Sequence, residues 1–134
     1  MRKILILFLI VIITTSFSSR RIDNNMLLKT WIAVKIDSSN NRTYVSAKEF
    51  GNSIGLQFFK DEKIRAQVPT NTSCPSGIKE VKFEIVDGTW SKLSDSVLIT
   101  SFPLNGKNIS ERLKILKLTE NELIVKLDYK KQRQ

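Results

Sequence analysis

Apolar and polar residues alternate with a period of two along much of this chain. The clearest stretch runs from Ile78 to Phe102, where Val81, Phe83 and Ile85 alternate with Lys82 and Glu84. That spacing puts one face of an extended strand against a core and the other toward water. Asp87-Gly88 then reads as a tight turn, because Gly accepts positive φ without steric cost. Thr89-Trp90 opens a second strand with β-favouring residues. Leu93-Ser94-Asp95-Ser96 turns the chain again, and Val97 to Phe102 makes a third strand. The stretch therefore predicts an antiparallel meander with one buried face, around which the remaining segments are organised.

The same pattern continues on both sides. Asp23 or Asn24 is placed to cap a short helix carrying Met26, Leu27 and Leu28, which would plug one end of a β-structure. Trp31 to Ile36 is a strand, with Trp31, Ala33 and Lys35 on one face and Ile32, Val34 and Ile36 on the other. Asp37 to Asn41 is a loop dense in turn formers. Arg42 to Phe50 is ambiguous: Tyr44 and Val45 favour strand, whereas Ser46 to Phe50 would serve as a helical turn. Leu56 and Phe58 mark the next strand, Asp61-Glu62 a turn, and Lys63 to Val68 a strand with Ile64, Ala66 and Val68 on one side. Pro69 ends it, since Pro cannot continue a ladder.

Asn105-Gly106 is a strong turn signal within the connection Pro103 to Lys107. Arg112 to Leu118 and Glu122 to Tyr129 form a last hairpin, in which Leu123, Val125, Leu127 and Tyr129 share a face. Eight or nine short strands with no long helix predict an all-β fold, a single small antiparallel meander barrel. One-sided alternation also fits a sandwich; closure into a barrel is favoured because it removes exposed edges.

The beginning of the chain reads as an address. Arg2 and Lys3 are followed by the apolar run Ile4 to Ile13 and by the small residues Thr14 to Ser19, the three regions of a secretory signal peptide. Ten residues rising about 1.5 Å each cover roughly half of a bilayer core, which argues against a stable transmembrane anchor. Residues 1–19 are thus expected to be a cleaved signal peptide and residues 20–134 a single domain. No Cys lies near the cut, so a lipoprotein anchor is not available, and the expected location is the periplasm or the exterior.

Charge adds less. The 22 Lys and Arg against 13 Asp and Glu give a net +9, but the basic residues are interleaved with acids as on a solvated sheet face. Attraction to an anionic surface, or an uncleaved signal segment, is the only membrane contact this implies. Nucleic-acid binding would need basic residues interleaved with exposed aromatics on one surface, and that pattern is absent. Cys74 is the single cysteine and there is no His. An intramolecular disulfide, a multi-Cys metal site and a Ser-His-Asp or Cys-His catalytic set are thereby excluded. Neither a cofactor nor enzyme activity is expected.

Four segments resemble small bacterial lipocalin-like domains. Leu27-Leu28-Lys29-Thr30-Trp31 is similar to their first strand, Leu-x-Gly-x-Trp, with Lys29 in place of the Gly. Gly55 to Ile64 is similar to their second hairpin, with Glu62 where the turn Gly stands. Gly88-Thr89-Trp90-Ser91 with Val97-Leu98-Ile99-Thr100 resembles their Gly-Thr-Trp hairpin, and Ile115 to Thr119 with Glu122 to Val125 their closing hairpin. The resemblance spans about Leu27 to Lys130. It implies a small secreted barrel in a group whose wider relatives hold small apolar molecules.

Two functions follow as expectations. The first is a secreted lipocalin-like binding module for a small apolar or amphiphilic ligand, with Trp31, Phe58, Phe83, Trp90 and Tyr129 as its lining. Phe102 is a further aromatic that could line a cavity, while Trp31 and Trp90 equally suit a closed barrel floor with each indole N–H satisfied locally. The second is a packed barrel of the cell envelope that acts through protein–protein interaction or inhibition, with no ligand.

Overall fold

The computed structural model describes residues 23–70 and 81–128. One helix, α1 (Asn24–Leu27), precedes eight strands: β1 (Thr30–Ile36), β2 (Asn41–Ala47), β3 (Gly55–Phe58), β4 (Lys63–Pro69), β5 (Phe83–Ser94), β6 (Val97–Leu104), β7 (Lys107–Leu118) and β8 (Glu122–Asp128). They close into one antiparallel barrel in the order β1-β2-β8-β7-β6-β5-β4-β3. The signal-like segment, Cys74 and Tyr129 lie outside the described residues.

From β3 to β8 the chain is an uninterrupted meander, while the first hairpin enters in the reversed sense. β1 pairs antiparallel with both β2 and β3, so β2 and β3 run parallel on either side of it. The segment 48–54 must therefore cross β1. It is fastened by Ala33 N–H donating to the Ile54 carbonyl at 2.8 Å. Gln67 Nε2 adds bonds to the Gly51 and Ser53 carbonyls at 2.8 and 3.0 Å. This resolves the ambiguous stretch after Arg42: Asn41–Ala47 is strand, and the helical turn does not form.

Local chemistry explains the turns. Asn105 and Gly106 adopt φ of 51° and 73°, the paired left-handed conformation of a type I′ hairpin, which matches the twist of the flanking strands. Between β1 and β2, the Asp37 carboxylate accepts from Ser39 N at 2.9 Å and from Asn41 N at 3.0 Å. The Asn41 backbone bond, foremost, holds the Asp37 carboxyl below its ordinary range. Thr119 Oγ1 accepts from Glu122 N at 3.0 Å and closes the last hairpin.

The turn between β3 and β4 carries strain at Glu62, whose φ is 62°. A side chain in the left-handed region costs about 1–2 kcal/mol, offset in part by the roughly 0.5–1 kcal/mol of extra chain entropy that Gly loses on folding. Glu62→Gly is accordingly expected to raise stability by about 0.5–1 kcal/mol, read as a higher urea midpoint at unchanged slope. An unchanged or lower midpoint would contradict this.

The expected turn at Asp87-Gly88 does not exist. β5 runs straight through both residues, with Asp87 opposite Arg65 and Gly88 opposite Ile64. Gly88 is required for a different reason: a Cβ there would press into the Ser101 carbonyl oxygen and lie 2.7 Å from Phe102 Cδ1. The face assignment of this strand also needs correction. Val81, Phe83 and Ile85 were expected to be buried, yet Ile85 is half exposed and Val81 more so. The inward residues are Val86, Gly88 and Trp90, opposite or in line with buried Ala66 and Ile64. Asp87 points out and meets Arg65 Nε at 2.7 Å. That hydrogen bond keeps the Asp87 carboxyl below its ordinary range.

The other inward faces follow the alternation. Ile64 and Ala66 are buried on β4, and Leu123, Val125 and Leu127 on β8. On β1 the register shifts between Ala33 and Lys35. This bulge brings Ile36 opposite Arg42, so Ile36 no longer follows the face expected from strict alternation.

Candidate ligand cavity

The two ends of the barrel are built differently. At one end Asp23 caps α1 by accepting from Asn25 N at 2.9 Å. This places Leu27 and Trp31 out of contact with solvent. The Trp31 indole N–H donates to the Leu27 carbonyl at 3.1 Å, so the helix and the first strand are tied together. Trp90 Nε1 donates to the Phe59 carbonyl at 3.0 Å, and its ring meets Phe58 edge to face at 5.5 Å. Lys29 extends across the same end, its ammonium 5.5 Å from the Trp31 ring centre and 2.9 Å from the Glu120 carbonyl. Three large rings with both indole N–H groups satisfied leave this end closed.

The other half of the interior is open. A cavity of about 320 Å³ lies among the inner faces of β1 to β7. Its apolar wall comes from Ile36, Tyr44, Leu56, Ala66, Val68, Val86, Phe102, Leu104 and Ile109. Its charged groups are Arg42 on β2 and Glu111 on β7. Leu104 and Ile109 flank the Asn105-Gly106 turn, and Ile36 precedes the Asp37 turn, so these two hairpins form the rim.

The expected lining residues fall in three places. Trp31, Phe58 and Trp90 come together, but in the closed end and not on the cavity wall. Phe83 is on the outer surface opposite Pro69, where it lines a shallow groove with Val34, Ile36 and Val81. Tyr129 lies outside the described residues. Of the aromatic residues expected to line a ligand site, Phe102 alone borders the cavity among the described residues, its ring lying against Gly88.

Tyr44, Arg42 and Glu111 were missed as candidates, although the alternation contains them. Arg42 shares parity with Tyr44 on β2, and Glu111 shares parity with Leu113 on β7. The signal was lost because β7 begins at Lys107, five residues before the apolar run that announces it. Among the described residues, no group of three or more His, Cys, Asp and Glu side chains is placed to hold a metal ion.

No protein-family model matches the chain, and neither a curated protein nor a solved structure gives a significant match.

Proposed function

We propose that this protein is a secreted, non-enzymatic binding module that holds a small apolar or amphiphilic molecule inside its barrel. The observation that carries the reading is the cavity of about 320 Å³, apolar over most of its wall, in a barrel whose other end is sealed by its own side chains. Its size is at the lower end of the range for small-molecule sites, about 300–1,000 Å³. Placement in the periplasm or outside the cell rests on the charged, apolar and small-residue regions of residues 1–19. The lipocalin-like resemblance of the four strand segments supports the same reading.

The test is ligand-linked stability with 1-octanol and octanoate as probes. A molecule that binds only the folded state raises the melting temperature as its concentration passes Kd. Ala66→Phe, which projects a ring from a buried position on the cavity wall, is expected to weaken binding of both probes by at least about tenfold while the barrel stays folded. No shift with either probe, nor with an amphiphile of the same chain length and a larger polar head, would sink the reading.

A second reading, a barrel that works through a protein partner, is favoured by a different feature. Val34, Ile36 and Val81 are 56%, 57% and 55% exposed around an outer groove. Clustered exposed apolar side chains of this kind mark interaction surfaces.

A further inference from the structure

The interior cavity carries one cation and one carboxylate on a wall that is otherwise apolar. Both residues are partly buried, and a charged side chain turned inward in a small barrel needs a reason, since withdrawing charge from water is costly without compensation. Arg42 is set inward by its register: it lies opposite Ile36 on β1 and Val125 on β8, and Val125 is fully buried. Its Nε is sealed from solvent. Arg42 already engages in interactions within the protein, so its position is held in advance of any ligand. Glu111 is set inward opposite Thr100, which is buried on β6. The two groups stand on strands separated by β8 in the sheet order, and both border the same space as Phe102 and Val86.

Resting on the binding reading above, we infer that the cavity selects amphiphiles whose head group joins a carboxylate to a neighbouring N–H or O–H donor. N-acyl amino acids of medium chain length are the simplest such class. The guanidinium supplies fork-shaped donors that match a carboxylate. Glu111 accepts from the donor beside it. The acyl chain lies along the apolar wall; at about 30 Å³ per water-sized group the volume admits about ten such groups, enough for an eight-carbon chain with the rest of the molecule in the open mouth of the cavity. Opposite charges on one wall disfavour a plain cationic amphiphile, which would satisfy Glu111 and face Arg42 at the same time.

Isothermal titration of the folded protein at neutral pH with four probes of equal chain length tests this: N-octanoylglycine, octanoate, 1-octanol and octyltrimethylammonium. N-octanoylglycine is expected to bind most tightly, and octyltrimethylammonium at least about tenfold more weakly. Arg42→Met is expected to remove the preference for the two anions over octanol. Glu111→Leu is expected to bring N-octanoylglycine down to the affinity of octanoate. The ranking on the unaltered protein needs no variant to fold, and circular dichroism checks each variant. Equal affinity for all four probes, or tighter binding of the cation, overturns the inference and leaves the binding reading standing. Binding of none of them overturns both.

Discussion

Trp31→Ala is expected to lower the unfolding free energy by about 3–5 kcal/mol, the range for removing a buried Trp side chain. Trp31 has no solvent exposure and stands at the junction of α1, β1, β2 and β3. Its removal leaves a void between the helix and the strands, and a rigidly hydrogen-bonded barrel is poorly able to collapse around it. The indole hydrogen bond is the smaller part. The Leu27 carbonyl that it reaches also accepts from Lys29 N at 2.7 Å, so it keeps a partner when the indole is gone. Trp31→Phe therefore separates the two contributions and is expected to cost far less than Ala, with the lost bond itself contributing about 0.5–1.5 kcal/mol. Urea unfolding followed by far-ultraviolet circular dichroism measures both without relying on the missing fluorophore. Equal losses for Ala and Phe would show that the hydrogen bond, and not the ring volume, closes this end.

Gly88→Ala is expected to destabilise the barrel by about 3 kcal/mol or more, at or beyond the top of the usual overpacking range. Most of the obstacle is backbone. The added methyl would press into the Ser101 carbonyl oxygen on the neighbouring strand, and the Phe102 ring at 2.7 Å is the secondary clash. A side chain is able to rotate away, whereas the carbonyl moves only if the β5–β6 pairing between Thr89 and Ser101 moves with it. Phe102→Leu in the same chain is accordingly expected to restore little of the loss. The double-mutant cycle gives the answer: a coupling that recovers most of the stability would place the clash on the ring instead. Because Phe102 also lines the cavity, Gly88 indirectly sets the shape of the wall.

Much of the architecture was legible because it depends on short-range chemistry. Asn105-Gly106 turns because both central residues adopt left-handed φ. Asp23 caps α1 because its carboxylate reaches a nearby free N–H. The strands of the last hairpin bury Leu123, Val125 and Leu127 because only that parity is apolar throughout.

β5 was less legible because both of its faces carry apolar residues. Phe83 and Ile85 alternate as cleanly as Val86 and Trp90, so parity alone does not choose between them. The choice is made by β4, whose Ala66 and Ile64 stand opposite Val86 and Gly88 and are themselves buried. Gly88 misled for a related reason. Gly serves both where φ is positive and where another chain comes too close for a Cβ, and a sequence does not distinguish the two uses.

The candidate site shows the same division. Aromatic residues were the natural candidates for a ligand wall, but in this barrel Trp31, Phe58 and Trp90 fill the closed end and the open half is mostly aliphatic. Large rings pack most completely where strands and helix converge, and the space remaining for a ligand is where they do not.

What the amino-acid order determined by itself was most of the strands, most of their turns, the capped helix and the inner face wherever one parity was apolar; the continuity of β5 through Asp87-Gly88 and the strand character of Asn41–Ala47 were not among them. Tertiary structure alone decided the closure of β1 on β3 and β2 on β8, the crossing of residues 48–54, the inward direction of β5, and the meeting of Arg42 with Glu111 around one cavity. The physical reason is range. Turns and caps are settled by groups a few residues apart, whereas closure and the cavity depend on pairing between strands distant in sequence, whose register carries no local signature.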